Sequence, residues 1–191
     1  MRGVRIASAG AVVGADVEAI RRDPGDNHGL YVSLENGVVV NFDARTLPSD
    51  LDQPSPARFT IAAHDGAACA LDMNANIRWC ITTAGTDKMV KIWNVQEHED
   101  GTKRSAWSQA RDLGLLAGRV FSAVWSPNDL LTLVAVGLKT KLQIWDVGAN
   151  FGARKVFGLR LVEAGRKLRE RTTGGVIGVA EDEEGSDDDE K

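Results

Sequence analysis

His64, Asp87 and Trp93 are the residues whose types and spacing suggest a shared polar network. An indole only donates, an imidazole can donate on one side and accept on the other, and a carboxylate only accepts. In line, the three would carry a hydrogen-bond relay in which His64 bridges and Asp87 orients the ring and binds turn amides. Buried polar groups need such partners. His64 with Cys69 and Asp72 also supplies the parts of a nucleophilic site: a base, a thiol and an orienting group. Placement speaks against that reading, because Cys69 falls on a predicted inner strand and not in an open cleft that would lower its pKa. The structural reading of His64, Asp87 and Trp93 is favoured, and the chain is expected not to be an enzyme. Two cysteines and three scattered histidines lack the paired spacing of a zinc site, and no cofactor is expected.

The elements that must position these residues lie between Phe59 and Asn94. Short β-branched runs, Cys80 to Thr83 and Met89 to Trp93, flank Gly85-Thr86-Asp87-Lys88 and predict a hairpin. With Ala67 to Met73 and Phe59 to Ile61 ahead of them they read as one four-stranded antiparallel unit. The pattern recurs on both sides. Upstream, Val17 to Arg21, Leu30 to Ser33 and Val38 to Phe42 include an Asn36-Gly37 turn, a strong hairpin signal. Downstream stand Val120 to Trp125, Leu131 to Val136 and Lys141 to Asp146. Equivalent aromatics at Phe42, Trp93 and Trp145 are 51 and 52 residues apart, and Asn36 precedes Phe42 by the same six residues that separate Asp87 from Trp93. Val4 to Ala7 reads as the outer strand of a preceding unit and Ser105 to Arg111 as the outer strand of the central one. Arg45 to Ala57 and residues 96–104 read as polar loops.

The central stretch resembles a WD repeat, with Ala63-His64 at the usual Gly-His position and Trp93-Asn94 at the usual Trp-Asp. The resemblance implies a hydroxyl residue two before the aspartate, where this chain has Gly85, so a three-member relay is expected. The last repeat has Lys139 at the aspartate position and Leu115-Leu116 at the Gly-His position, which leaves Trp145 to packing. The order of ADVEAIRRDP (Ala15–Pro24), NGVVVNFDAR (Asn36–Arg45), FTIAAHDGAACALD with TDKMVKIWN, and LQIWDVG followed by FGARKVFG resembles the C-terminal portion of the periodic tryptophan protein family, first type. That resemblance implies a nuclear and nucleolar non-enzymatic scaffold in large ribosomal subunit assembly and rRNA processing. The alternatives are a chromatin (histone-tail) binding protein acting at ribosomal DNA and a generic protein-interaction propeller. Implied partners are proteins of pre-ribosomal particles or chromatin, with indirect rRNA contact and no small-molecule substrate.

The expected fold class is all-β, a WD40-type β-propeller fragment of about three blades with a disordered acidic C-terminal tail. Residues 1–153 would form the partial propeller, 154–171 a basic linker with a short helix from Leu159 to Glu170, and 172–191 the tail. Within that helix, Leu161, Val162 and Leu168 are expected toward one side. The net charge of −4 conceals a segregation, because residues 181–191 hold eight carboxylates and one lysine, leaving +3 elsewhere. So small a surplus falls short of a nucleic-acid-binding stripe. In the tail, Ser186 precedes carboxylates and is expected to be phosphorylated by an acidophilic kinase. No apolar run approaches bilayer length and the first residues make a poor signal peptide, so an intracellular, soluble protein without membrane contact is expected. Because propellers close with roughly four to eight blades, three would be a C-terminal fragment with bare apolar surface on both outer sides.

Overall fold

The computed structural model describes residues 9–53, 55–95, 107–112, 118–139 and 141–173. Among these described residues eleven strands form three antiparallel sheets. The first contains β1 (Val17–Arg22), β2 (Gly29–Leu34), β3 (Val38–Asp43) and β4 (Ala57–Ala62) in sequence order. The second contains β5 (Ala70–Met73), β6 (Cys80–Ala84), β7 (Met89–Asn94) and β8 (Trp107–Asp112). Among the described residues the third has β9 (Val120–Trp125), β10 (Thr132–Gly137) and β11 (Leu142–Asp146). The expected fold class holds: these are blades of a WD40-type propeller fragment.

The phase of the blades differs from the sequence expectation in one respect. The strand containing Phe59 to Ile61 pairs with β3, Val39 opposite Ile61, and is the outer strand of the first sheet, not part of the central one. The central sheet takes β8 as its fourth strand. The expected loop from Arg45 to Ala57 connects β3 to β4 except at its last residue, and the expected strand Val4 to Ala7 lies outside the described residues.

Middle strands are rich in β-branched and aromatic residues because both of their faces are covered. Tyr31, Val39 and Ile61 of the first sheet meet Leu71, Met73, Ile81 and Trp93 of the second. The second sheet's other face, with Val90 and Ile92, meets Val120, Ala123, Trp125, Leu133 and Ala135 of the third. The outward side of the first sheet is not bare: Val32, Leu34, Val40 and Phe42 are buried under Ala11, Val13, Ala15 and Leu47. The outward side of the third is bare, with Leu142 59% and Ile144 65% exposed. Their counterparts one repeat earlier, Val90 and Ile92, are wholly buried.

Chain connections stitch neighbouring sheets together at the hairpin turns. The amides of Ala63 and His64 donate to the Gly37 carbonyl, and the Val120 amide donates to the Gly85 carbonyl. Gly37 has φ +82°, and a Cβ there would lie 2.0 Å from the His64 carbonyl oxygen, so only glycine fits.

Beyond β11, among the described residues, a 3₁₀ turn (Val147–Ala149) leads into one α-helix, α1 (Phe151–Thr173). It starts inside the segment expected to be propeller, runs through the expected linker and takes in the first two residues of the expected tail; the rest of that tail lies outside the described residues. Asn150 caps it, its Oδ1 accepting the Ala153 amide at 3.1 Å. Ala153, Phe157 and Ala164 are buried against the core of the second and third sheets. Leu161 packs partly there, but Val162 is 76% exposed, so the two do not share a side as expected; the Leu168 side chain lies outside the described residues. Phe157, placed by helical spacing over the core, sets the buried face. No helix among the described residues is long and apolar enough to cross a membrane.

Candidate functional site

The polar residues singled out in the sequence converge on the central blade, with a member the sequence reading missed. The Trp93 indole N–H donates to Thr83 Oγ1 at 2.9 Å. Thr83 Oγ1 lies 2.8 Å from His64 Nε2, and His64 Nδ1 lies 2.9 Å from both oxygens of Asp87. A single proton assignment satisfies the chain: the threonine hydroxyl donates to Nε2, and Nδ1–H donates to the carboxylate. The expected three-member relay is therefore corrected to four, because Trp93 reaches His64 only through Thr83. Register explains the placement. Ile81 faces Trp93 and Thr83 faces Lys91, so the indole is the diagonal neighbour of Thr83 on the same face. The hydroxyl comes four residues before Asp87, not two. Gly85, at the position where a hydroxyl was expected, leaves the space the ring needs: a Cβ there would lie 2.9 Å from His64 Cγ.

Asp87 also ties down its own turn, accepting the Met89 amide at 3.0 Å. Asn36 accepts the Val38 amide at 3.1 Å in the first blade's turn. Burial of the His64 ring lowers its pKa below the ordinary value, outweighing the Asp87 carboxylate, which acts in the opposite direction, so the ring is neutral near pH 7. Both ring nitrogens are engaged within the protein, and the His64 side chain and Thr83 are fully buried.

The three residues that could have formed a nucleophilic site are not assembled into one. Burial raises the Cys69 pKa, and its Sγ contacts the Ala67 carbonyl at 3.6 Å. Asp72 accepts the Trp125 amide at 2.9 Å and lies 3.5 Å from Arg21 Nε, so it joins the inner strands of all three sheets. Cys80 is buried, which raises its thiol pKa strongly. Among the described residues no cluster of three His, Cys, Asp or Glu could hold a metal ion. Phe42 is buried at the blade position equivalent to Trp93, and Trp145 is half-buried against the core of the second and third sheets. Ser186 falls outside the described residues.

No protein-family profile matches the chain. A WD repeat-containing protein of Schizosaccharomyces pombe, itself uncharacterized, is 30% identical over 153 residues, covering 79% of this chain and 27% of the relative. Periodic tryptophan protein 1 of Saccharomyces cerevisiae is 26% identical over 145 residues, 74% of this chain and 24% of the relative. The relatives are WD-repeat proteins. This chain spans about a quarter of the length of each of these two. The WD-repeat likeness agrees with the three blades and with the His64, Thr83, Trp93 and Asp87 network.

A second polar group lies at the opposite ends of the strands. Asp43 pairs with Arg45 at 2.6 Å and with Arg58, and Arg58 reaches Asp26 at 2.7 Å. The Arg45 guanidinium and amide, with Arg58, hold the Asp43 carboxyl well below the usual carboxylate range. Nothing in the sequence pattern pointed to this cluster, because its members come from β3, the connection after it, β4 and the β1–β2 loop. Their proximity is a product of blade geometry.

Proposed function

We propose that this chain is part of a non-enzymatic WD-repeat interaction scaffold that works with proteins of pre-ribosomal particles during large-subunit assembly and rRNA processing in the nucleus and nucleolus, touching rRNA indirectly. The observation that carries the scaffold reading is the burial of the His64 side chain and of Thr83, which keeps the carboxylate–imidazole–hydroxyl line inside the blade and away from any substrate. Rigid blades then present their loops as the surface available to partners. The finer reading, ribosome assembly, is supported by the resemblance to the periodic tryptophan protein family and by the likeness to the yeast protein of that name. The structural role of His64, Thr83, Asp87 and Trp93 and the phosphorylation of Ser186 belong to the same proposal.

Recovery of the full-length protein from native cells, with its partners identified by mass spectrometry and RNA sequencing, tests it. Large-subunit ribosomal proteins together with precursor rRNA are the expected result. Histones without ribosomal factors would replace assembly with chromatin binding, and a purified protein that turned over a small-molecule substrate would overturn the scaffold reading itself.

A further inference from the structure

Opposite the hairpin turns, a cleft of about 450 Å³ opens between the first and second sheets, with Asp23, Asp26, Tyr31, Arg58, Arg78 and Trp79 in its walls. Its size falls within the roughly 300–1,000 Å³ of clefts that hold ligands. The two walls differ in charge. On the first-sheet side Asp26 is tied to Arg58, whose other nitrogen holds Asp43, while Asp23 has no cationic partner among the described residues. On the second-sheet side the Arg78 guanidinium lies 4.7 Å from the centre of the Trp79 ring. Among the described residues Arg78 makes no ion pair, although it is near enough to Glu163 of α1 to help lower that carboxyl's pKa, and it is exposed. Arg160 of α1 lies 5.7 Å from the same ring, but its donors go to the Arg78 carbonyl, Asn94 Oδ1 and the Val156 carbonyl. Arg78 is therefore the cation with donors to offer.

The backbone that presents Arg78 and Trp79 is unusual. Trp79 has φ +60°, a left-handed conformation rare for a bulky residue. It is fixed from both sides, by the Val95 amide donating to the Trp79 carbonyl at 2.9 Å and by Arg160 donating to the Arg78 carbonyl at 2.6 Å. Strained backbone held by its surroundings clusters at ligand sites. A guanidinium stacked on an aromatic face keeps its in-plane N–H donors for a carboxylate. The carboxylates of the facing wall disfavour a run of phosphates.

We propose that this cleft binds a segment of a partner protein through a single Asp or Glu carboxylate seated on Arg78, with main-chain N–H groups facing Asp23. This rests on the interaction-scaffold reading and adds to it a place and a chemistry. The test is an NMR titration of the ¹⁵N-labelled 191-residue chain with acetyl-Gly-Glu-Gly-amide, its Gln analogue and the oligonucleotide rU6. The Glu peptide is expected to shift the Trp79 indole and Gly25 amide signals saturably, the Gln peptide to bind at least tenfold more weakly, and Arg78→Gln to weaken Glu-peptide binding by tenfold or more. Because Arg78 is exposed, unchanged signals elsewhere in the Arg78→Gln spectrum would show that the fold is kept. Unmoved cleft signals, equal binding of the two peptides, an indifferent Arg78→Gln variant, or tighter binding of rU6 would each overturn the proposal. Failure here with partners still recovered by the full-length protein would refute the cleft and spare the scaffold.

Discussion

The central blade and the first blade close the same hairpin in two ways. Both turns use an Asx side chain to accept an amide two residues on, Asn36 for Val38 and Asp87 for Met89. Only in the central blade does the carboxylate continue through His64 and Thr83 to an indole. The register-equivalent residues of the first blade are Val32 and Phe42, both buried and apolar. Phe42 has no polar atom to satisfy, whereas Trp93 carries an N–H into a site where the residue is only 7% exposed. The Trp93 N–H is satisfied through Thr83 and a phenyl ring has none to satisfy, although partnering is not obligatory here: Trp125, equally buried, keeps its indole N–H without a hydrogen-bond partner among the described residues. In the third blade Ala135 stands opposite Gln143, where Thr83 would be, and its Trp145 is only half-buried.

The largest effect should come from removing the aromatic anchors. Truncating Trp93 to Ala is expected to cost about 3–5 kcal/mol, and Phe42→Ala about as much, because both fill core space. Chemical denaturation of each variant checks this, and a Trp93 cost below 1 kcal/mol would break the equivalence of the two anchors. Next, Ile92→Ala should cost roughly 2–5 kcal/mol, while Ile144→Ala at the same blade position of the third sheet should stay within about 0.5 kcal/mol. Equal losses in the two denaturation curves would mean that the outward face of the third sheet is covered.

The relay itself comes third in size. Thr83→Val leaves the indole N–H and His64 Nε2 without their partner and is expected to cost about 1–3 kcal/mol. In a Trp93→Phe background the loss should shrink, because one orphaned donor is gone, and the double-mutant cycle measures that coupling. Additive losses would show that the contact is geometric only. The smallest effect is on pH. His64 has a folded pKa below its unfolded value, so the unfolded chain takes up the proton first as pH falls. Stability is therefore expected to decline below about pH 6.5 and to be flat above it as far as His64 is concerned. His64→Gln should lower stability at pH 7.5 and flatten the decline between pH 6.5 and 5; an unchanged slope would assign the decline to other groups.

Much of this architecture was legible in the sequence because hairpin chemistry is local. Asn36-Gly37 and the alternation around Asp87 mark their turns without reference to the rest of the chain. The sequence could not show which sheet Phe59 to Ile61 joins, since outer strands pair across a long connection and either neighbour offers an apolar face. Thr83 was missed for a related reason: a diagonal contact between strands depends on register, and a spacing rule along the chain does not contain it. Helix α1 outruns the expected Leu159–Glu170 because Gly152, Gly158 and Gly165 weaken the helical signal. Phe157 and Ala153 gain their burial from the shared core of the second and third sheets, which local helix signals do not contain.

If His64 is a neutral bridge inside a blade and not a base, its ring nitrogens will show it. ¹⁵N NMR of the His64 ring between pH 5.5 and 8 tests it most directly. A protonated Nδ1, a bare Nε2 accepting from Thr83, and no titration near the ordinary pKa of about 6.5 are the expected result. An imidazole that titrates near that value with both nitrogens averaging by exchange would contradict it.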